Sequence, residues 1–166
     1  MGMYLSLSRI GEAELDEIRQ DPEKLETYLN SDTSLSLDKS WHAIHFMLTG
    51  QVWEFDAELG SVIFGGYLIG EEDDENFDFG YGPATYVPAD EVKLLSEKLA
   101  AFDIEKQKAD FSLSMFAGKD IYVFGDDNSF EDADEEKDYI FENLESLVQY
   151  FQDAAAQEQV IIKMIT

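Results

Sequence analysis

Leu37-Asp38-Lys39-Ser40-Trp41-His42-Ala43-Ile44-His45-Phe46-Met47-Leu48-Thr49-Gly50 is the stretch on which the fold turns. Trp41, Ile44, His45 and Leu48 recur at i, i+3, i+4 and i+7, which is one face of a helix. Ala43, Phe46 and Met47 cover much of the rest. A helix apolar nearly all round belongs in the middle of a domain. Asp38 can cap its start, with Lys39 and Ser40 in an exposed first turn. Gly50 can take the left-handed conformation that ends it. Both histidines of the chain and one of its two tryptophans lie here. The expectation is a buried central helix over 38–49.

Toward the amino terminus, residues 3–10 alternate, with Met3, Leu5 and Leu7 against Tyr4, Ser6 and Ser8, the period of a half-buried strand. Gly11 breaks it, and a short helix over 12–19 buries Leu15 and Ile18. Asp21-Pro22 restarts the chain as a helix with Leu25, Tyr28 and Leu29 on one face. Residues 31–36 read as loop.

Beyond Gly50, the run 62–70 reads as a short helical turn followed by a strand, with glycines where backbone must turn or approach closely. Tyr81-Gly82-Pro83 is a turn and 84–87 a short strand. Pro88 opens a helix in which Val92, Leu95, Leu99 and Phe102 keep helical spacing. Residues 103–116 read as a broken helix and 121–124 as a strand or extended segment. A second acidic stretch, 126–138, grades into a long helix whose inner face carries Ile140, Leu144, Leu147 and Phe151. Val160-Ile161-Ile162-Lys163-Met164-Ile165 is apolar on both faces apart from Lys163, as in an inner strand.

Few strands and many helices, without strict alternation, predict an α+β domain. It should be one compact unit over 1–166, its small mixed sheet placing the amino- and carboxy-terminal strands side by side against several helices. A hydrophobic fraction of 45% and an aromatic fraction of 13% supply a core. There is no cysteine, hence no disulfide and no thiolate metal site. No signal peptide and no membrane-length apolar run is visible, so a cytoplasmic location is expected.

Charge is the strongest compositional fact. Asp and Glu number 37 against 11 Lys and Arg, a net charge of −26. Such a field repels nucleic acid and anionic membranes and attracts a basic protein or a cation. Solubility is the plainer explanation of the same excess.

Three features together resemble the YfbM-like family, a bacterial domain of unknown function. They are Leu37-Asp38-Lys39-x-Trp41-His42-x-x-His45-Phe46-x-Leu48-Thr49-Gly50, then Tyr81-Gly82-Pro83-Ala84-x-Tyr86 leading to Glu91-Val92, and finally the closing Ala-rich helix end with its hydrophobic strand. The resemblance covers essentially the whole chain. It implies a compact mixed α/β fold and supplies no activity, cofactor or catalytic residue.

Two constellations can carry function. Lys39, Trp41, His42, His45 and Thr49 form a candidate pocket on the central helix. His42 and His45 stand at a spacing that metal pairs use, but a zinc site needs a third ligand and here only carboxylates could supply it. The ordinary alternative is a core histidine hydrogen-bonded to backbone or to a carboxylate. The second constellation is acidic and aromatic: Glu72, Asp73, Asp74, Phe77, Phe79, Asp126, Asp127 and Phe130 form a candidate partner surface, apolar rings in charged loops being what a binding surface uses. A calcium loop starting at Asp73 or Asp126 fails at the turn glycine and at the fifth ligand. Nucleophile-elbow, phosphate-loop and dinucleotide motifs are absent. No metal, cofactor or catalytic residue is indicated. The leading expectation is a non-enzymatic binding protein whose acidic surface engages a basic protein partner, with an immunity or inhibitor role as one version. The alternative is a small-molecule-binding domain or enzyme with a pocket around Trp41 and His45.

Overall fold

The computed structural model describes residues 2–71, 75–77, 81–124 and 133–166. The chain runs β1 (Leu5–Ile10), α1 (Glu12–Gln20), α2 (Lys24–Leu29), β2 (Ser34–Asp38), α3 (Trp41–Thr49), β3 (Tyr67–Leu68), β4 (Thr85–Val87), α4 (Ala89–Ala101), α5 (Ile104–Asp110), α6 (Ala133–Ala156) and β5 (Val160–Ile165), with 3₁₀ turns at Glu75–Phe77 and Leu113–Phe116. The strands form one sheet in the order β2-β1-β5-β4-β3. Every pairing is antiparallel, so the sheet is not mixed as expected. The terminal strands β1 and β5 are neighbours, Leu5 opposite Ile165 and Ile10 opposite Val160.

The alternation of β1 and β5 assigns each side chain to a layer. Leu5, Leu7 and Ile161 join a large core with α3, α4 and α6, whereas Ile10, Val160, Ile162 and Met164 join a smaller one with α1 and α2. β5 is therefore covered on both faces, which explains its continuous apolar run. Lys163 points into the larger layer, level with Leu7 on β1 and Thr85 on β4.

Three segments differ from their sequence reading. Residues 31–36 are not loop throughout, because Leu35 and Leu37 alternate with serines and the segment pairs with β1 as β2, Leu35 opposite Leu7. Asp38 ends that strand at φ +51 and does not cap the helix. The helix starts later, at Trp41, after Ser40, whose hydroxyl donates to Leu37 O at 2.6 Å. Residues 121–124 form a turn with Val123 at φ +70, and no strand. The backbone N–H of Tyr122 is taken by a side chain in place of a ladder partner.

As expected, α3 is buried almost all round, with Trp41, His42, Ala43, Ile44, His45, Met47 and Leu48 all inside. Gly50 ends it at φ +71, with its N–H on Phe46 O at 2.7 Å. No helix among the described residues is long and apolar enough to cross a membrane.

Candidate functional site

The polar atoms of α3 do not line an open pocket; they hold backbone. Trp41 Nε1 donates to Met3 O at 3.0 Å. His42 Nε2 lies 2.7 Å from Val52 O, and its Nδ1 lies 2.8 Å from the backbone N of Tyr122. A carbonyl can only accept and an amide N–H can only donate, so Nε2 carries the proton, Nδ1 carries the lone pair, and the ring is neutral. His45 Nε2 lies 2.8 Å from Glu54 O, which assigns it the same tautomer. Its Nδ1 is buried without a partner among the described residues. Burial pushes the proton affinity of both rings down. The Val52 carbonyl opposes this at His42 and the Glu54 carbonyl at His45.

The same helix gathers an aromatic stack. Trp41 stacks on His42 (5.1 Å between centroids) and on Tyr122 (5.5 Å), and His42 meets Trp53 at 4.3 Å. Phe64 closes edge-on over His45 at 4.4 Å.

Of the five residues of the candidate pocket, Trp41, His42 and His45 are thus fully enclosed. Lys39 is half-buried, its N–H donating to Tyr139 Oη at 3.0 Å. Thr49 donates back to His45 O at 2.7 Å and accepts Gln51 N–H at 3.0 Å. Trp41, His42 and His45 hold the backbone of other segments, whereas Lys39 precedes α3 and Thr49 closes it. No group of three or more His, Asp or Glu able to hold a metal ion occurs among the described residues.

The two histidines, together with Lys163, hold one loop, residues 51–66. Val52 and Glu54 are held by the histidines, while Lys163 Nζ donates to Ser61 O at 2.6 Å and to Phe64 O at 2.9 Å. Gly60 lets the loop close on itself: a Cβ there would sit 2.1 Å from Phe55 O. The tip of this loop faces solvent. Trp53 is 47% and Phe55 53% exposed, and Glu54, Asp56 and Glu58 beside them are exposed as well. Trp53 Nε1 donates to Asp120 Oδ2 at 2.8 Å, which adds a further carboxylate to the rim. Residues 51–59 have no sustained hydrophobic period, so no sequence pattern marks this tip.

Of the candidate partner surface, Phe77 is described and lies buried at 3% exposure in the smaller core. It tucks its segment against the sheet and offers no ring to a partner. Glu72, Asp73, Asp74, Phe79, Asp126, Asp127 and Phe130 lie outside the described residues.

A cleft does open elsewhere, with a volume of about 240 Å³. Its walls include Phe64, Gly65, Gly66, Gly82, Thr85 and Lys163. Lys163 is buried at 2% exposure, and desolvation pushes its amine down from 10.5 to about 7, against the attraction of Glu91. The lone charged residue in an apolar strand was the available sequence signal.

Comparison with known proteins agrees with the fold. A family model described as a domain of unknown function, DUF1877, matches residues 1–164. The crystal structure of YfbM, a protein of unknown function from Escherichia coli, matches with a TM-score of 0.74 at 17% sequence identity, covering 98% of this chain and 99% of that chain. No curated protein matches.

Proposed function

The chain belongs to the DUF1877 family, a domain of unknown function, and from that premise we propose that it acts as a non-enzymatic binding protein for a basic protein partner. One observation carries this reading: the pinned 51–66 loop displays Trp53 and Phe55 among Glu54, Asp56, Glu58 and Asp120. Aromatic rings rimmed by carboxylates suit Lys and Arg side chains, whose cations are drawn to π faces and whose charge is complementary to the rim. A loop already fixed by buried hydrogen bonds loses little entropy on binding.

The overall charge of −26 acts on top of this by steering a basic partner inward. Ion pairs among the described residues, Arg19 with Asp16, Lys24 with Glu17, and Lys108 with Glu105 and Glu145, involve no residue of this loop. An immunity or inhibitor role is one version of such a protein.

The test is affinity capture from native lysate with the wild-type chain and with a Trp53→Ala/Phe55→Ala variant. The reading expects a saturable, salt-sensitive basic partner that the variant loses by tenfold or more in affinity, on the order of 1.4 kcal/mol. A captured partner indifferent to both substitutions, or no partner at low salt, overturns it. The alternative of a small-molecule site leaves Trp41 and His45, whose rings are enclosed, and moves to the cleft at Lys163.

A further inference from the structure

Lys163 sits on the central strand β5 between Leu7 and Thr85, on the face of the main core layer, and is among the residues that line the cleft. Two carbonyl oxygens, Ser61 O at 2.6 Å and Phe64 O at 2.9 Å, accept from Nζ. An ammonium has three N–H groups to satisfy and a neutral amine has two. Two acceptors therefore match the amine, and its lone pair takes the remaining direction. An unmatched third N–H in a buried place would carry the cost of an orphaned donor. Gly65 and Gly66 contribute backbone alone to the cleft wall, and at Gly65 the Phe55 ring fills the place of a side chain, 2.9 Å from where a Cβ would stand. Gly66 holds φ +96, where a Cβ would meet Tyr86 O at 2.9 Å, so the turn admits no side chain there.

We propose that Lys163 Nζ is a carbonyl-reactive amine site that takes small aldehydes or ketones from the cleft. The nitrogen lone pair forms a bond to the carbonyl carbon. The carbonyl oxygen takes up the two amine protons and leaves as water, so that an imine remains, with no oxidant or reductant involved. Thr85, opposite Lys163 in the ladder, lines the same cleft. The lowered proton affinity of Lys163 keeps a large share of the amine free at neutral pH, whereas a lysine of ordinary affinity keeps about four parts in ten thousand free. Glu91 opposes that lowering, and the charge of Lys163 in turn disfavours a proton on His45. A purely structural lysine with the same burial would be the most protected amine in the chain.

The two roles give opposite outcomes in one experiment. The folded chain is treated with acetaldehyde and cyanoborohydride at pH 7, and ethylation of each of its lysines is followed by peptide mass spectrometry. Lys163 should label on the order of tenfold faster than the other lysines, and that lead should vanish in urea, where every amine has its ordinary affinity. A Thr85→Leu variant, which narrows the cleft, should slow Lys163 and leave the other rates unchanged. Labelling of Lys163 at the common rate or slower in the folded chain overturns the proposal, and so does a lead that persists in urea.

Discussion

His42 holds Tyr122 from eighty residues away: its Nδ1 accepts the Tyr122 backbone N–H at 2.8 Å while its Nε2 donates to Val52 O at 2.7 Å. One neutral ring thus joins the 51–66 loop to the 121–124 turn, and that pairing explains why a histidine stands in the first turn of an apolar helix. A hydrophobic residue of the same shape would leave a buried carbonyl and a buried amide unpaired.

Substituting His42→Phe tests that statement. The ring volume and the stacking on Trp41 are kept, and both hydrogen bonds are lost. Urea unfolding should show a loss of about 3 kcal/mol, from two orphaned backbone groups. A loss under about 1 kcal/mol would mean that water replaces the ring nitrogens.

Acid should weaken the fold through the same groups. Burial lowers the proton affinity of His42 and His45 below the ordinary 6.5. The unfolded chain then binds more protons, so the stability tied to neutral rings is complete above pH 6.5 and is lost as pH falls through the folded values. Urea midpoints should drop between pH 7.5 and pH 5, and His42→Phe should flatten part of that drop.

Lys163 acts in the alkaline direction. Its folded affinity of about 7 lies below the ordinary 10.5, so in this window too the unfolded state binds more protons and stability rises with pH. Below that window the folded chain carries the full cost of a buried ammonium. Comparing wild type with Lys163→Met cancels the general repulsion of the acidic surface. The difference should move in favour of the wild type by on the order of 4 kcal/mol from pH 7 to pH 10.

Two glycines should respond differently to alanine. At Gly50, φ is +71 with nothing near the missing Cβ, so Gly50→Ala should cost about 1 kcal/mol from backbone conformation alone. At Gly60 the new Cβ would stand 2.1 Å from Phe55 O, and backbone must move. Gly60→Ala should cost more than about 2 kcal/mol and broaden the Trp53 and Phe55 resonances. Equal costs at the two sites would contradict the tight closure of the loop.

Much of the fold was legible because period and punctuation carried it. The alternation of 3–10, the helical spacing from Val92 to Leu99 and the unbroken apolar run of β5 each report burial directly. Serines concealed β2, since Ser34 and Ser36 reduce its hydrophobic signal to Leu35 and Leu37. The site was less legible. Trp41, His42 and His45 stood out by residue type, but their partners are backbone carbonyls and an amide, and any residue can supply those. No pattern in 51–66 marks a carbonyl as the target of a histidine or a lysine. Only the folded chain brings Val52, Glu54, Ser61 and Phe64 under buried donors.

The most direct measurement of the clamp is the ¹⁵N shift of the two imidazole rings at pH 7, read by long-range ¹H–¹⁵N correlation. Both rings should be neutral with the proton on Nε2, and the Tyr122 amide should be strongly protected from exchange. A proton on Nδ1, a charged ring or averaged tautomers at His42 would contradict the account, because Val52 and Tyr122 could then not be held by one ring.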